Sequence, residues 1–136
     1  MAKESGLGWT TLEVDDSGGT ARDIKNDVTS FDFATPRGVQ DITGVDKSAN
    51  ERLLLLADFS INLSGVFNDA ASTGSHTVLS TVSSTSVART VTLVISGQTL
   101  PNECMFTDFA LTRAATGELT FTAPGVLSNG TVPTWA

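Results

Sequence analysis

Residues 53–67, LLLLADFSINLSGVF, begin with four leucines and then alternate strictly. Phe59, Ile61, Leu63 and Phe67 fall on one side, with Asp58, Ser60, Asn62 and Ser64 on the other. A period of two marks a half-buried β-strand, because successive side chains of a strand point to opposite faces. The same period recurs in GWTTLEVDD (8–16), ended by the turn-like DDSGGT, and in ARTVTLVISG (88–97), which sets Val91, Leu93 and Ile95 against Thr90 and Thr92 and stops at Gly97. NECMFTDFALTRA (102–114) is apolar on both faces: Met105, Phe109 and Leu111 on one, Cys104, Phe106 and Ala110 on the other. GELTFTAPG (117–125) alternates again, and the short RAATGE turn predicts that it forms a hairpin with 102–114. Helical spacing competes in two places. TGSHTVLSTVSS (73–84) predicts a helix capped by Ser72, Thr73 or Ser75, and RDIKNDVTSFDF (22–33) fits a short helix or a strand. The polar stretch 35–53, with Pro36, Gly38 and Gly44, reads as a long exposed loop, a length usually kept for function. The pattern is that of a mainly-β chain forming one domain over 1–136.

Composition changes this picture in two ways. Residues 1–58 hold eleven acidic and six basic side chains, whereas the other 78 hold four and two and are rich in Ser, Thr and Val, which suit strands. A net charge of −7 disfavours binding a nucleic-acid backbone, which requires clustered Lys and Arg. The lone Cys104 excludes an intrachain disulfide. Leu53–Ala57, the longest apolar run, is far short of the ~20 residues that span a bilayer, and MAKESGLGWT lacks a signal-peptide core; a cytosolic product is expected. Strands apolar on both faces require cover on both. That cover comes either from the chain's own helix or from other subunits, whose interface cores are poor in charge.

Candidate chemistry is sparse. The one histidine, His76, lies in the expected helix beside Ser75, where a surface or capping role outweighs that of a catalytic base. DDSGGTARD lacks the alternating ligands and final Glu of a calcium loop and reads as a β-turn. No phosphate-binding or dinucleotide fingerprint occurs. These residues predict no enzyme, metal or cofactor.

QDITGVDKSANERLLLLADFSINLSGVFN (40–68), ARTVTLVISG (88–97) and LTRAATGELTFTAPGVLSNGTVPTW (111–135), in that order, resemble the major tail tube proteins of long-tailed, non-contractile bacteriophages, in the versions found among actinobacterial phages. The resemblance spans roughly residues 20–135. It implies a β-sandwich or half-barrel of two roughly orthogonal sheets flanked by one α-helix, a fold shared with the tubes of contractile tails and type VI secretion. It further implies hexameric rings whose sheets join around a lumen, assembled in the host cytoplasm and stacked on a tape-measure protein into a virion tail, with terminator and distal tail proteins at its ends. DNA would leave through the bore without specific binding, repelled by lining carboxylates. By the same analogy the arm 1–8 and the loop 35–53 are candidates for contacts between subunits or rings. The residues singled out are Trp9, Pro36, Arg37, Val39, Asp41, Lys47, Arg52, Leu54, Leu56 and Trp135. A tail terminator or adaptor of the same fold is an alternative, as is a β-sandwich adhesion or carbohydrate-binding module. The second is disfavoured by the absence of Tyr and by only two Trp for sugar stacking.

Overall fold

In the computed structural model, which describes residues 3–136, the period-two segments become β1 (Trp9–Asp15), β6 (Ser60–Val66), β7 (Arg89–Ile95) and β10 (Leu119–Leu127). Between them lie β2 (Ala21–Asp23), β3 (Val28–Ala34), β4 (Arg37–Asp41), β5 (Arg52–Ala57), β8 (Gln98–Phe106), β9 (Ala110–Arg113) and a single α-helix among the described residues, α1 (Ser75–Leu79). The stretch 22–33 is therefore strand, turn and strand. The inward positions of the alternation form the core: Leu12 and Val14, Phe59, Ile61 and Leu63, Val91 and Leu93, Phe121 and Ala123. Phe67, aligned with them in the sequence, is only partly buried beyond the end of β6.

The strands run antiparallel in the order β2-β1-β7-β8-β10-β6-β3, with β9 also on β10. Five strand spacings of about 4.8 Å would hold β1 and β3 some ~24 Å apart in a flat sheet. Their rings instead touch: the Trp9 centroid lies 5.0 Å from Phe31 and 6.0 Å from Phe33. The sheet has folded over at β8, whose Arg89-to-Ile95 partner β7 lies on one side and whose last residues, Cys104–Phe106, meet β10 on the other. Two layers result, β2-β1-β7-β8 and β9-β10-β6-β3, packed across one core. The strand expected over 102–114 is this corner. It is interrupted at Thr107–Phe109, and β9 then continues along β10 with Leu119 opposite Arg113. A strand that changes layers buries first one face and then loses its cover, which explains why both of its faces are apolar.

One end of the sandwich is closed by α1. The helix is shorter than the 73–84 expected: hydrogen-bonded turns replace it from Ser80 to Ser84, consistent with the weak helix propensity of Ser and Thr. Its start is held from outside, since the buried Asp27 carboxylate accepts the Ser75 N–H (3.0 Å) and the Asn68 amide (3.0 Å). Its end is held by the buried Arg89, which donates to the Val78 and Asp15 carbonyls (2.7 and 3.0 Å) and to the Thr81 hydroxyl (2.9 Å). Gly65 lies so close to the Asp27 carbonyl that a Cβ would collide with it, and backbone cannot yield there. The C-terminal tail fastens the open side. Ala136 exchanges two backbone hydrogen bonds with Thr99 of β8 while Trp135 packs 6.1 Å from Phe33 of β3.

The stretch 35–53 is a loop only over 42–51, since Arg37–Asp41 is β4 and β5 begins at Arg52. Residues 28–41 and 52–66 form one long ribbon. The partners stay in step from Ser30–Ser64 through Ala34–Ser60 to Arg37–Ala57, and the Asp58 N–H donates to the Pro36 carbonyl at the joint (2.9 Å). The β4–β5 end makes its main contacts only within itself. It therefore projects from the body by about five residues at ~3.3 Å each, roughly 17 Å, before its tip.

Candidate functional site

The projecting hairpin concentrates the features that the body does not use. Pro36, Arg37, Val39, Asp41, Lys47, Arg52, Leu54 and Leu56, scattered in the sequence, all lie on it. Leu54 sits opposite Val39 and Arg52 opposite Asp41. All four leucines are exposed, Leu54 at 62% and Leu56 at 89%. Leu53 and Leu55 point to one face and Leu54 and Leu56 to the other, so neither face has cover. Val39, Ile42 and Val45 extend the apolar surface. Complete burial of a leucine is worth ~1.5–3 kcal/mol, and much of that remains unrealised in the isolated chain. Local hydrogen bonds shape the arm. The Arg37 guanidinium donates twice to the Leu55 carbonyl (3.0 and 2.8 Å), and at the tip the Asp41 carboxylate accepts the Thr43 hydroxyl (2.6 Å) and N–H (2.9 Å). Those two bonds, the hydroxyl first, hold the Asp41 carboxyl below its ordinary value.

The second feature is a pair of open edges. β3 and β9 bound the layer β9-β10-β6-β3, and the outer edge of each makes no backbone hydrogen bonds among the described residues. The other layer is differently bounded: β2 is only three residues long, and β8 is occupied by β10 and the tail. A long unpaired edge is a template for another strand, and a short one is not. These edges, like Ile42 and Val45, left no mark in the sequence pattern, since an edge is a property of pairing.

Trp9 and Trp135 are placed elsewhere, in an aromatic cluster with Phe31, Phe33 and Phe59 on the open side of the sandwich. Of the arm 1–8, Met1 and Ala2 lie outside the described residues. Gly6–Gly8 make one 3-10 turn capped by the Ser5 hydroxyl, leaving Leu7 exposed.

The groups weighed for catalysis are otherwise engaged. His76 packs between Phe67 and Phe109 (ring centroids 4.5 and 5.8 Å), and the Ser75 hydroxyl donates to the Val66 carbonyl (2.7 Å). The acidic-glycine stretch is a turn in which the Asp16 carboxylate accepts the Gly18 and Thr20 N–H groups (2.9 and 3.0 Å). Among the described residues no three His, Cys, Asp or Glu side chains cluster as metal ligands. Cys104 is buried; burial, and then the neighbouring Glu103 carboxylate, push its thiol up to about 12. Because the thiolate is the reactive form, a maleimide at neutral pH should leave the native chain unmodified and label it fully in urea, read by mass spectrometry. Native labelling within minutes would contradict this burial.

No family model matches the chain, and no curated protein matches its sequence. Solved structures do. A chain of the virion of a native gene transfer agent particle superposes with a TM-score of 0.75 at 14% identity, over 98% of this chain and 99% of that one. A chain from the tail of an empty gene transfer agent particle, determined with helical refinement and C6 symmetry, gives 0.73 at 16% identity over 98% of each. At such identity the likeness is one of fold. The chain has the mainly-β fold of these particle components over essentially its whole length.

Proposed function

We propose that this chain is the repeating subunit of a phage-type tail tube: six copies close into a ring, rings stack, and the bore conducts DNA from the virion. The observation that carries this reading is the layer β9-β10-β6-β3, bounded on both sides by an open edge. Its strands alternate in direction, so β3 of one copy and β9 of the next are antiparallel and can extend the sheet without a break. Joining of this kind is heterologous and closes when the rotation allows. Four strands from each of six copies, the number suggested by the C6 tail to which the fold is similar, give a barrel of twenty-four. At ~4.8 Å per strand its circumference is at least ~115 Å and its backbone diameter at least ~37 Å.

The hairpin extends the β3–β6 ribbon along the strand direction, beyond its own ring, which suits it to carry the contact with the next. Such a subunit needs no catalytic group. Its companions would be a tape-measure protein inside the tube and terminator and distal tail proteins at its ends, with assembly in the host cytoplasm before incorporation into the virion.

Negative-stain electron microscopy of the purified chain tests the reading, with stacked hollow tubes as the expected result. Single rings that never stack would instead favour a terminator or adaptor of the same fold, and a strict monomer at all concentrations would refute self-assembly. Replacing residues 38–56 with an Asn-Gly turn, which closes the ribbon at Arg37–Ala57, should leave a folded chain that forms no tubes. Tubes of ordinary length from that deletion would remove the hairpin from the ring-to-ring contact.

A further inference from the structure

The layer that can close into a ring has one face packed on its own core and one face bare. Once copies join through β3 and β9, the other layer of each subunit, β2-β1-β7-β8, must lie on the outside, because six such layers do not fit within the closed sheet. The bare face of β9-β10-β6-β3 then becomes the wall of the bore. Its chemistry can be read from the outward positions of the strands. The two central strands present Ser60, Asn62, Ser64 and Val66, and Thr120, Thr122, Pro124 and Val126. β9 adds Ala110 and Thr112, and β3 adds Ser30, Asp32 and Ala34. Among all the outward strand positions of this layer Asp32 is the only ionisable side chain. Its carboxylate accepts a hydrogen bond from the Asn62 amide (3.1 Å). The net charge of −7 lies elsewhere: Glu13, Asp15 and Glu103 occupy outward positions of the opposite layer.

We infer that the bore of this tube is a nearly uncharged wall of short hydroxyl and small apolar side chains whose fixed strand charge is one ring of Asp32 carboxylates, with no cation at its outward strand positions. This rests on the tube reading above and deepens it by saying how a polyanion passes. Neutralising phosphates with Lys or Arg releases counterions and creates affinity, and a wall without cations offers no such release. Short Ser and Thr side chains add neither charge nor bulk. Slippage then comes from the absence of attraction, with Asp32 as a single repulsive collar per ring, rather than from a carboxylate-coated channel.

The inference is tested on assembled tubes, so that failure to form tubes counts against the tube reading and every other result bears on the wall. With Cys104 buried, single reporters can be placed cleanly at Thr122→Cys on the bare face and at Thr92→Cys on the opposite layer. A small maleimide should label both in tubes, whereas a maleimide carried on a large dextran should label only Thr92→Cys. Preferential dextran labelling of Thr122→Cys would overturn the assignment of the wall. Tubes of Asp32→Lys should then retain a short fluorescent DNA duplex on sedimentation at 50 mM salt at least ~10-fold more than wild type, and lose it by about 200 mM, as counterion release requires. Glu13→Lys, on the outer layer, should change retention less than ~2-fold. If Asp32→Lys blocks assembly, Thr122→Lys on the same wall takes its place with the same expectation. Equal retention by the inner and outer lysine variants would overturn the proposal.

Discussion

A chain carrying Leu54→Asp and Leu56→Asp folds, melts within a few degrees of wild type and forms no stacked tubes. Both side chains stand on one face of the hairpin at 62% and 89% exposure, so their replacement removes no core contact. Surface substitutions of this kind usually lie within ~0.5 kcal/mol of neutral. Assembly is another matter. Each subunit loses two leucines worth ~1.5–3 kcal/mol apiece when covered, and gains two carboxylates that must be desolvated in an apolar contact. The contact repeats in every subunit of every ring, so a penalty of several kcal/mol per copy abolishes tubes. Circular dichroism melting, light scattering and electron microscopy separate the outcomes. Loss of folding would make the leucine run core, and normal tubes would remove it from the interface. Leu63→Asp, seven residues beyond Leu56 and fully buried, is the opposite control and should not fold.

Arg89→Ala should cost about 3–5 kcal/mol of stability, a fall in melting temperature of roughly 10–20 °C for a chain of this size. Its guanidinium is buried without a carboxylate in salt-bridge range and spends its donors on Val78, Asp15 and Thr81. Burial lowers the pKa of this group, partly opposed by the nearby Asp16 and Asp15 carboxylates. Removing it leaves a cavity and two carbonyls without that donor, the Val78 one at the end of α1, where helix carbonyls lack donor partners. Arg89→Met restores volume but not the hydrogen bonds, and should recover only part of the loss. A methionine variant as stable as wild type would show that the site needs only volume. The residue was legible in the sequence merely as the polar start of an alternating strand.

Period-two alternation located β1, β7 and β10 to within two residues, placed β6 inside 53–67, and found their inward residues, because one face of each is buried and burial enforces the period. It failed over 35–53 for the complementary reason. β4 and β5 have no core to face, so nothing constrains their faces to differ: Arg37–Asp41 looks like a loop, and Leu53–Leu56 is a run apolar on both faces. The expected helix shrank to Ser75–Leu79 because Ser and Thr propagate it poorly, and what holds it there, Asp27 and Arg89, lies outside it in the chain.

The sequence by itself determined the strands β1, β6, β7 and β10, which of their side chains turn inward and that leucines 53–56 required an explanation. Only the tertiary structure decided that these leucines are outside, that one sheet folds over at β8, and that β3 and β9 are left as open edges with a nearly uncharged face between them. Alternation is written locally, residue by residue. An edge exists only once β3 has paired with β6 and β1 with β7, contacts that span dozens of residues and leave no mark in any one segment.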